Sequence, residues 1–191
     1  MSGILKPQQG ILFMKVGVHA QEDLESIIAR KTKEIEEAGF ALWGYGGNTC
    51  HPATMVQPFA KKHASAGEQI FLCMQEMTSK HFAEPVRAEH FSVDGHHWQQ
   101  VPPEINVRGS RYALAIRALH KEEFVLPLAK TRVAIGNSAG RTGMQYIKGR
   151  VDKACLELTD LAAMPPEPDE DSVQINLVAE LCDPYAVFLK N

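Results

Sequence analysis

A glycine-rich loop after an apolar segment carries the residue types best suited to binding or chemistry in this chain. Residues 42–52 read LWGYGGNTCHP, with three glycines, two aromatic rings, a thiol and an imidazole. Glycines let backbone N–H groups approach a ligand closely, and aromatic rings offer faces on which a base can stack. We therefore predict a ligand site whose contacts come from Trp43, Tyr45, Gly46, Gly47, Asn48 and Thr49.

The same loop also has a purely structural interpretation. It lacks the GK[ST] ending of a P-loop, and its glycine spacing differs from GxGxxG. It could instead be a tight turn at the end of a strand, with both aromatic rings in the core. The sequence leaves these two interpretations open.

A second polar glycine loop spans residues 136–143 and reads GNSAGRTG. Hydroxyl, amide and guanidinium groups suit a phosphate, and a loop that leads into a helix N-terminus offers unpaired N–H groups. We predict ligand contacts from polar residues in and after this loop, namely Asn137, Ser138, Arg141, Thr142 and Lys148. The alternative is a solvated turn followed by the polar face of a helix.

Cys50 and His51 raise the question of catalysis. A cysteine near a helix N-terminus can have a lowered pKa, but neighbours in sequence rarely hold a thiol and an imidazole in attacking geometry. A base would have to come from elsewhere, for example His81, His90 or His120. We keep Cys50 and His51 as the catalytic candidates, and the sequence leaves open whether the protein is an enzyme.

No cofactor or metal is expected. The four cysteines are widely separated and form no CxxC pair, so the common zinc spacings are absent. His96 and His97 are adjacent in a predicted strand and would point to opposite faces. Only His90 and His97 could then cooperate, and two ligands rarely make a tight metal site.

The composition is that of an ordinary globular protein. The 191 residues are 45% hydrophobic and 23% charged, enough for one domain with a proper core. The formal charge of −3 disfavours long DNA or RNA as the main partner, because such binding relies on a basic excess. Scattered cysteines, no signal-peptide pattern and no apolar stretch long enough for a membrane span favour a soluble cytoplasmic protein.

Hydrophobic patterning predicts the elements that position these loops. A strand, an amphipathic helix and a second strand are predicted at the start of the chain, and further strands and helices follow. The first loop would then lie at the carboxyl end of a strand, where open α/β sheets often bind ligands. The predicted strands are 11–18, 40–43, 69–74, 112–119, 124–128 and 132–135, and the predicted helices are 20–38, 58–65 and 144–158.

The middle of the chain is less regular. Residues 78–110 are rich in His, Pro and Glu and are predicted to be an insertion or flap. A two-residue turn at Asp94-Gly95 would make a hairpin that pairs Phe91 with Trp98.

Two further expectations concern the later strands. Arg117 lies in an apolar alternation, which predicts an internal ion pair, with Glu76 or Glu122 as candidates. Residues 173–189 alternate on both sides of Asp183-Pro184 and predict a C-terminal β-hairpin. The predicted fold is a single α+β domain over residues 1–191, with a mixed β-sheet that could be barrel-like and about three helices.

These features favour a small-molecule binding protein for a nucleotide or other phosphorylated ligand, which would sense or sequester a cyclic or ADP-ribose-type signal. One alternative is an enzyme that acts on a nucleotide or nucleobase through Cys50 and His51. Another is a modified-base reader with Trp43, Tyr45 and Trp98 around a flipped base. A third is a protein-interaction module that uses the terminal hairpin as an edge, or the acidic, Pro-rich residues 164–172 as a tail. The expected partner is a small phosphorylated molecule, with a second copy of the chain as a further candidate and no membrane.

Overall fold

The computed structural model describes residues 6, 9–46, 53–81, 84–147, 153–159 and 172–191. These residues form nine strands and three α-helices. The strands are β1 (Gly10–His19), β2 (Ala41–Gly46), β3 (Phe71–His81), β4 (His90–Ser92), β5 (Gln99–Gln100), β6 (Tyr112–Pro127), β7 (Thr131–Val133), β8 (Lys153–Leu158) and β9 (Ser172–Lys190). The helices are α1 (Leu24–Ala38), α2 (Ala53–Ser65) and α3 (Gly143–Ile147).

One mixed sheet joins all the strands, in the order β2-β6-β9-β3-β1-β8-β7, with the β4–β5 hairpin attached to β9. β1 and β3 pair in parallel, and the other pairs are antiparallel. The sheet has two ends and does not close into a barrel. This architecture confirms the predicted α+β fold with a mixed sheet and three helices.

The core lies in three clusters. The first packs α1 and α2 on one face of the sheet, around Leu12, Trp43 and Leu72. The second lies on the opposite face and includes Phe13 and Leu126. The third holds the described part of residues 84–110 against β2, β6 and β9, and its members from that segment are Ala88, Val101, Ile105 and Val107. That segment is therefore packed onto the sheet as a layer.

α1 begins later than predicted. Asp23 caps the helix by accepting a hydrogen bond from the Ser26 N–H at 2.8 Å, and Gly39 ends it in the left-handed conformation, as such caps usually do. Before the cap, Ala20 and Gln21 have φ angles of 48° and 67°. These two residues form a tight turn, so the predicted helical start at residue 20 is wrong by four positions.

A buried ion network attaches α1 to the segment after β5. The Lys31 ammonium lies 2.9 Å from a Glu34 carboxylate oxygen and 3.0 Å from the Asn106 carbonyl oxygen. Glu34 also accepts the Asn106 N–H at 2.9 Å, and the Arg30 guanidinium contacts Glu34 at 3.1 Å. Burial with mutual hydrogen bonding is the arrangement that buried charges require.

The predicted helix over residues 144–158 is confirmed only at its beginning and is wrong at its end. α3 (Gly143–Ile147) covers the first residues, residues 148–152 lie outside the described ranges, and residues 153–158 form β8, which pairs with both β1 and β7. Ala154 and Leu156 face one core cluster and Cys155 faces the other. A central strand that is buried on both faces reads as a continuous apolar run, which a helical period also fits.

The predicted C-terminal hairpin is also wrong. β9 runs without reversal from Ser172 to Lys190, and β6 pairs with it on both sides of Asp183-Pro184. The residues around that cis peptide bond form a bulge, because Leu114 pairs with Ala186 and Ile116 pairs with Leu181. The Asp-Pro signal therefore marks an irregularity within one strand.

Two local predictions shift by a few residues. α2 begins at Ala53 and contains Pro58, whereas the prediction placed Pro58 at the helix start. Phe91 pairs with Gln99 and not with Trp98. The β4–β5 turn is longer than two residues because one Asp94 carboxylate oxygen accepts backbone N–H groups from within the turn.

Arg117 is exposed and pairs with Glu180 of β9. An ion pair is therefore present, but the prediction is wrong in two respects: Arg117 is not internal, and its partner is neither Glu76 nor Glu122. β9 lies beside β6 in the sheet, which places position 180 next to position 118, and a cross-strand neighbour of this kind is not apparent from local sequence.

Candidate functional site

The first candidate site lies where β2 ends. Gly46 has a φ of 116°, and its carbonyl oxygen accepts the Arg111 N–H at 2.9 Å. The Lys153 ammonium, at the start of β8, lies 5.6 Å from the centroid of the Tyr45 ring. A side chain at position 46 would collide with that ammonium group. The absence of a side chain at Gly46 thus allows a cation from a remote strand to reach the beginning of the first glycine loop.

The two aromatic residues of this loop belong to the core. Trp43 and Tyr45 are only 4% and 3% exposed, and both lie in the cluster beneath α1 and α2. Their burial agrees with the structural interpretation of these rings, since a ring packed in the core has little face left for a ligand. Gly47, Asn48, Thr49, Cys50 and His51 lie outside the described residues, and the roles assigned to them stay predictions.

Backbone hydrogen bonds within the second glycine loop and to the end of β7 occupy several of its amides. The Gly140 N–H donates to the Val133 carbonyl at 2.8 Å, and the Ala139 and Arg141 N–H groups donate to Gly136 and Ser138 carbonyls at 3.1 Å. These three amides are therefore not available to a phosphate.

The side chains of this loop are a different matter. Asn137 and Arg141 are exposed and Ser138 is half-buried. The Thr142 hydroxyl accepts the Gln145 N–H at 3.3 Å and so caps α3. Lys148 lies outside the described residues. A ligand at this loop would thus be held by the Arg141 and Asn137 side chains.

β8 links the two loops. β2 and β7 stand at opposite ends of the strand order, but Ala134 and Ile135 pack against the same core cluster as Tyr45. The Ala134 N–H also donates to the Cys155 carbonyl at 2.9 Å, two residues beyond Lys153. The end of β2 and the residues after β7 therefore pack against one core cluster, and the start of β8 lies next to both.

The described cysteines and histidines do not form a catalytic pair. Burial raises the pKa of the Cys73 thiol to about 12 and raises the pKa of Cys155 as well, which makes both poor nucleophiles. His97 bonds the Asp94 carboxylate at 2.5 Å, and His63 contacts two glutamates. Across the described ranges, no group of three His, Cys, Asp or Glu side chains could hold a metal ion.

A groove of about 830 Å³ was not predicted from the sequence. It lies beside the end of β1 and the middle of β3, and the first turn of α1 and the beginning of β9 form its other walls. The signal that could have revealed it is a set of carboxamides in otherwise apolar strands, at Gln75, Gln174 and Asn176. No sequence pattern, however, indicates that β3 and β9 diverge there.

Among the described helices, none has both the length and the apolar character needed to cross a membrane. The chain matches no protein-family model, and neither curated proteins nor solved structures include one that is similar to it.

Proposed function

We propose that this protein binds a nucleotide or another small phosphorylated ligand at the end of β2, and that it senses or sequesters that ligand. The observation that carries the proposal is the position of the Lys153 ammonium, directly beside the backbone of Gly46. A phosphate at this point would accept a charge-assisted hydrogen bond, which is roughly twice as strong as a neutral one. The backbone of Arg111 is adjacent, because its N–H bonds the Gly46 carbonyl oxygen.

The two glycine loops support this location in different ways. The polar residues of the first loop, Asn48 and Thr49, follow Gly46 within three positions of the sequence, and Gly46 is the residue that Lys153 contacts. The second loop leaves the same core cluster and offers the exposed Arg141 side chain. Because its amides bond within the loop, its part in the proposal rests on side-chain contacts.

The alternative functions have less support. A modified-base reader would need Trp43 and Tyr45 around a flipped base, and both rings are buried in the core. Trp98 instead lies under the Lys190 ammonium, 4.2 Å from it. A protein-interaction module was predicted to use a terminal hairpin or the acidic, Pro-rich residues 164–172. β9 is a single strand within the sheet, and residues 164–171 lie outside the described residues.

The first experiment is calorimetry with AMP, ADP, ATP, cyclic nucleotides and ADP-ribose. We expect at least one of these to bind the wild-type protein, and Lys153→Met to weaken that binding by about tenfold to a hundredfold, as for the loss of one hydrogen bond to a charged group. Lys62→Met is the matched control, because Lys62 is exposed and pairs with Glu157 on the same strand as Lys153. If none of these nucleotides binds the folded protein, or if Lys153→Met binds as tightly as the wild type, the proposal is overturned.

The enzyme alternative has its own readout. Each nucleotide that binds is incubated with the protein and the mixture is separated by chromatography. Accumulation of a product that Cys50→Ala or His51→Ala abolishes would establish a catalytic role for these residues. Binding without product would leave the binding protein as the correct description.

A further inference from the structure

The groove beside β1 and β3 exists because the paired strands β3 and β9 separate. The ladder between β3 and β9 ends at the pair Met74–Leu177. Beyond it, the Glu76 N–H bonds the side-chain oxygen of Asn176 at 2.9 Å instead of a backbone carbonyl. β3 then continues along β1 while β9 continues along β6, and the space between them is the groove of about 830 Å³.

A bulge in β3 shapes one wall of the groove. Val16 pairs with Glu76 and Val18 pairs with Lys80, so three residues of β3 lie opposite Gly17 alone. Met77 and Thr78 of this bulge line the groove. Bulges are over-represented beside functional sites because they redirect side chains that a regular ladder would hold in the sheet.

The charged groups that line the groove are all acidic. They are Asp23, Glu25 and Glu76, and no Lys or Arg side chain is among the lining residues. Asp23 is engaged in capping α1, and both Glu25 oxygens contact the Lys121 ammonium, at 2.7 and 2.8 Å. Glu76 has no ion pair with another residue in the described part of the chain.

The remaining lining is mixed in character. Carboxamides of Gln75, Gln174 and Asn176 supply hydrogen-bonding groups, and Leu24 and Met77 supply apolar surface. The volume falls within the range of small-molecule sites, which combine apolar walls with a few placed polar groups. An acidic lining repels phosphate and attracts a cation, so this groove differs in chemistry from the site at the end of β2.

We propose that the groove binds a small organic cation, an ammonium or guanidinium group on a short apolar chain. The Glu76 carboxylate is its counter-ion, the Asn176 carboxamide bonds one of its N–H groups, and the Leu24 and Met77 side chains cover its carbon chain. A guanidinium or ammonium group only donates hydrogen bonds, which matches a site whose charged groups only accept them. This cation site is independent of the proposed nucleotide site, because the two share no residue.

Calorimetry with agmatine and with putrescine tests this inference. We expect one of them to bind the wild-type protein, and Glu76→Gln, which keeps the shape and removes the charge, to weaken that binding at least tenfold. Glu104→Gln is the control, since Glu104 is exposed and lies outside the groove, and it should bind like the wild type. Circular dichroism confirms that each variant is folded.

A second variant fills the groove without changing its charge. Thr78 is exposed and lines the groove, so Thr78→Trp should exclude the ligand while leaving Glu76 in place. Failure of both amines to bind, or unchanged affinity in Glu76→Gln or in Thr78→Trp, overturns the proposal. Because AMP and ADP-ribose are tested separately with Lys153→Met, failure here leaves the proposal for the end of β2 intact.

Discussion

Lys31 shows how strongly burial acts on a single charged residue. Its side chain is 3% exposed, and that of its partner Glu34 is 2% exposed. Burial lowers the pKa of Lys31 from 10.5 to about 8, although the Glu34 carboxylate acts in the opposite direction. The ammonium therefore loses more through removal from water than the nearby carboxylate restores.

This lowered pKa predicts a specific dependence of stability on pH. Between about pH 8 and 10.5 the unfolded chain binds the Lys31 proton and the folded chain does not, so the contribution of Lys31 to the free energy of unfolding rises with pH. We expect the free energy of unfolding of the wild type, minus that of Lys31→Met, to increase by about 1–3 kcal/mol across this range. A tenfold change in proton affinity corresponds to about 1.36 kcal/mol. Urea unfolding at pH 7, 8, 9 and 10 measures it.

The same helix provides the control. Lys33 is 72% exposed and only loosely paired with Glu37 at 3.7 Å, so Lys33→Met should change the free energy of unfolding by less than about 0.5 kcal/mol, as surface substitutions usually do. Parallel stability curves for wild type and Lys31→Met would show that the Lys31 pKa is not lowered by folding.

At the scale of elements, Gly46 at the end of β2 can be compared with Gly67, which follows α2. Gly46 and Gly67 both have positive φ angles, 116° and 81°, but only at Gly46 would a side chain meet another group, the Lys153 ammonium. We expect Gly46→Ala and Gly67→Ala each to lose about 1 kcal/mol or more of stability from backbone strain. Only Gly46→Ala should also weaken nucleotide binding, because it displaces Lys153.

Thermal unfolding and calorimetry together check this prediction. The two variants should have similar melting temperatures and different affinities. A Gly46→Ala protein that binds like Gly67→Ala would mean that the place of Lys153 beside Gly46 has no bearing on the ligand.

The elements also show where local sequence is sufficient. The body and the end of α1 were predictable because its amphipathic pattern and the final Gly39 act within a few residues of chain, whereas its start was missed because Ala20 and Gln21 form a turn before the Asp23 cap. β8 was mistaken for a helix because Ala154, Cys155 and Leu158 satisfy a helical period, and only pairing with β1 and β7 fixes the strand. The bulge at Asp183-Pro184 was mistaken for a turn because the uninterrupted course of β6 beside it is a long-range feature.

At the scale of the whole molecule, the sheet has a buried centre and exposed attachments. β1 and β3 lie between the first two core clusters, and Leu12, Phe13, Leu72 and Cys73 are fully buried. β4 and β5 form a hairpin of three and two residues at the side of β9, and both residues of β5 are exposed. The core and the hairpin should therefore open separately.

Hydrogen–deuterium exchange with mass spectrometry tests this expectation. Amides of β1 and β3 should exchange only through global unfolding, whereas those of the β4–β5 hairpin should exchange through local opening, at least about a hundredfold faster, since local openings lie far below the global free energy. Peptides that cover the two regions provide the comparison. Equal protection would mean that the hairpin and the central strands unfold as one unit.

The sequence by itself determined the α+β class, the strand at the start of the chain, the amphipathic helix after it and the polar character of both glycine loops. Each of these depends on residues within a turn or a strand length of one another. The tertiary structure decided that Lys153 reaches Gly46, that Trp43 and Tyr45 enter the core, and that β3 and β9 separate around Glu76. Those outcomes depend on which strands pair and where the pairing ends. Strand pairing is decided by packing across the whole sheet and not by the preference of any local segment.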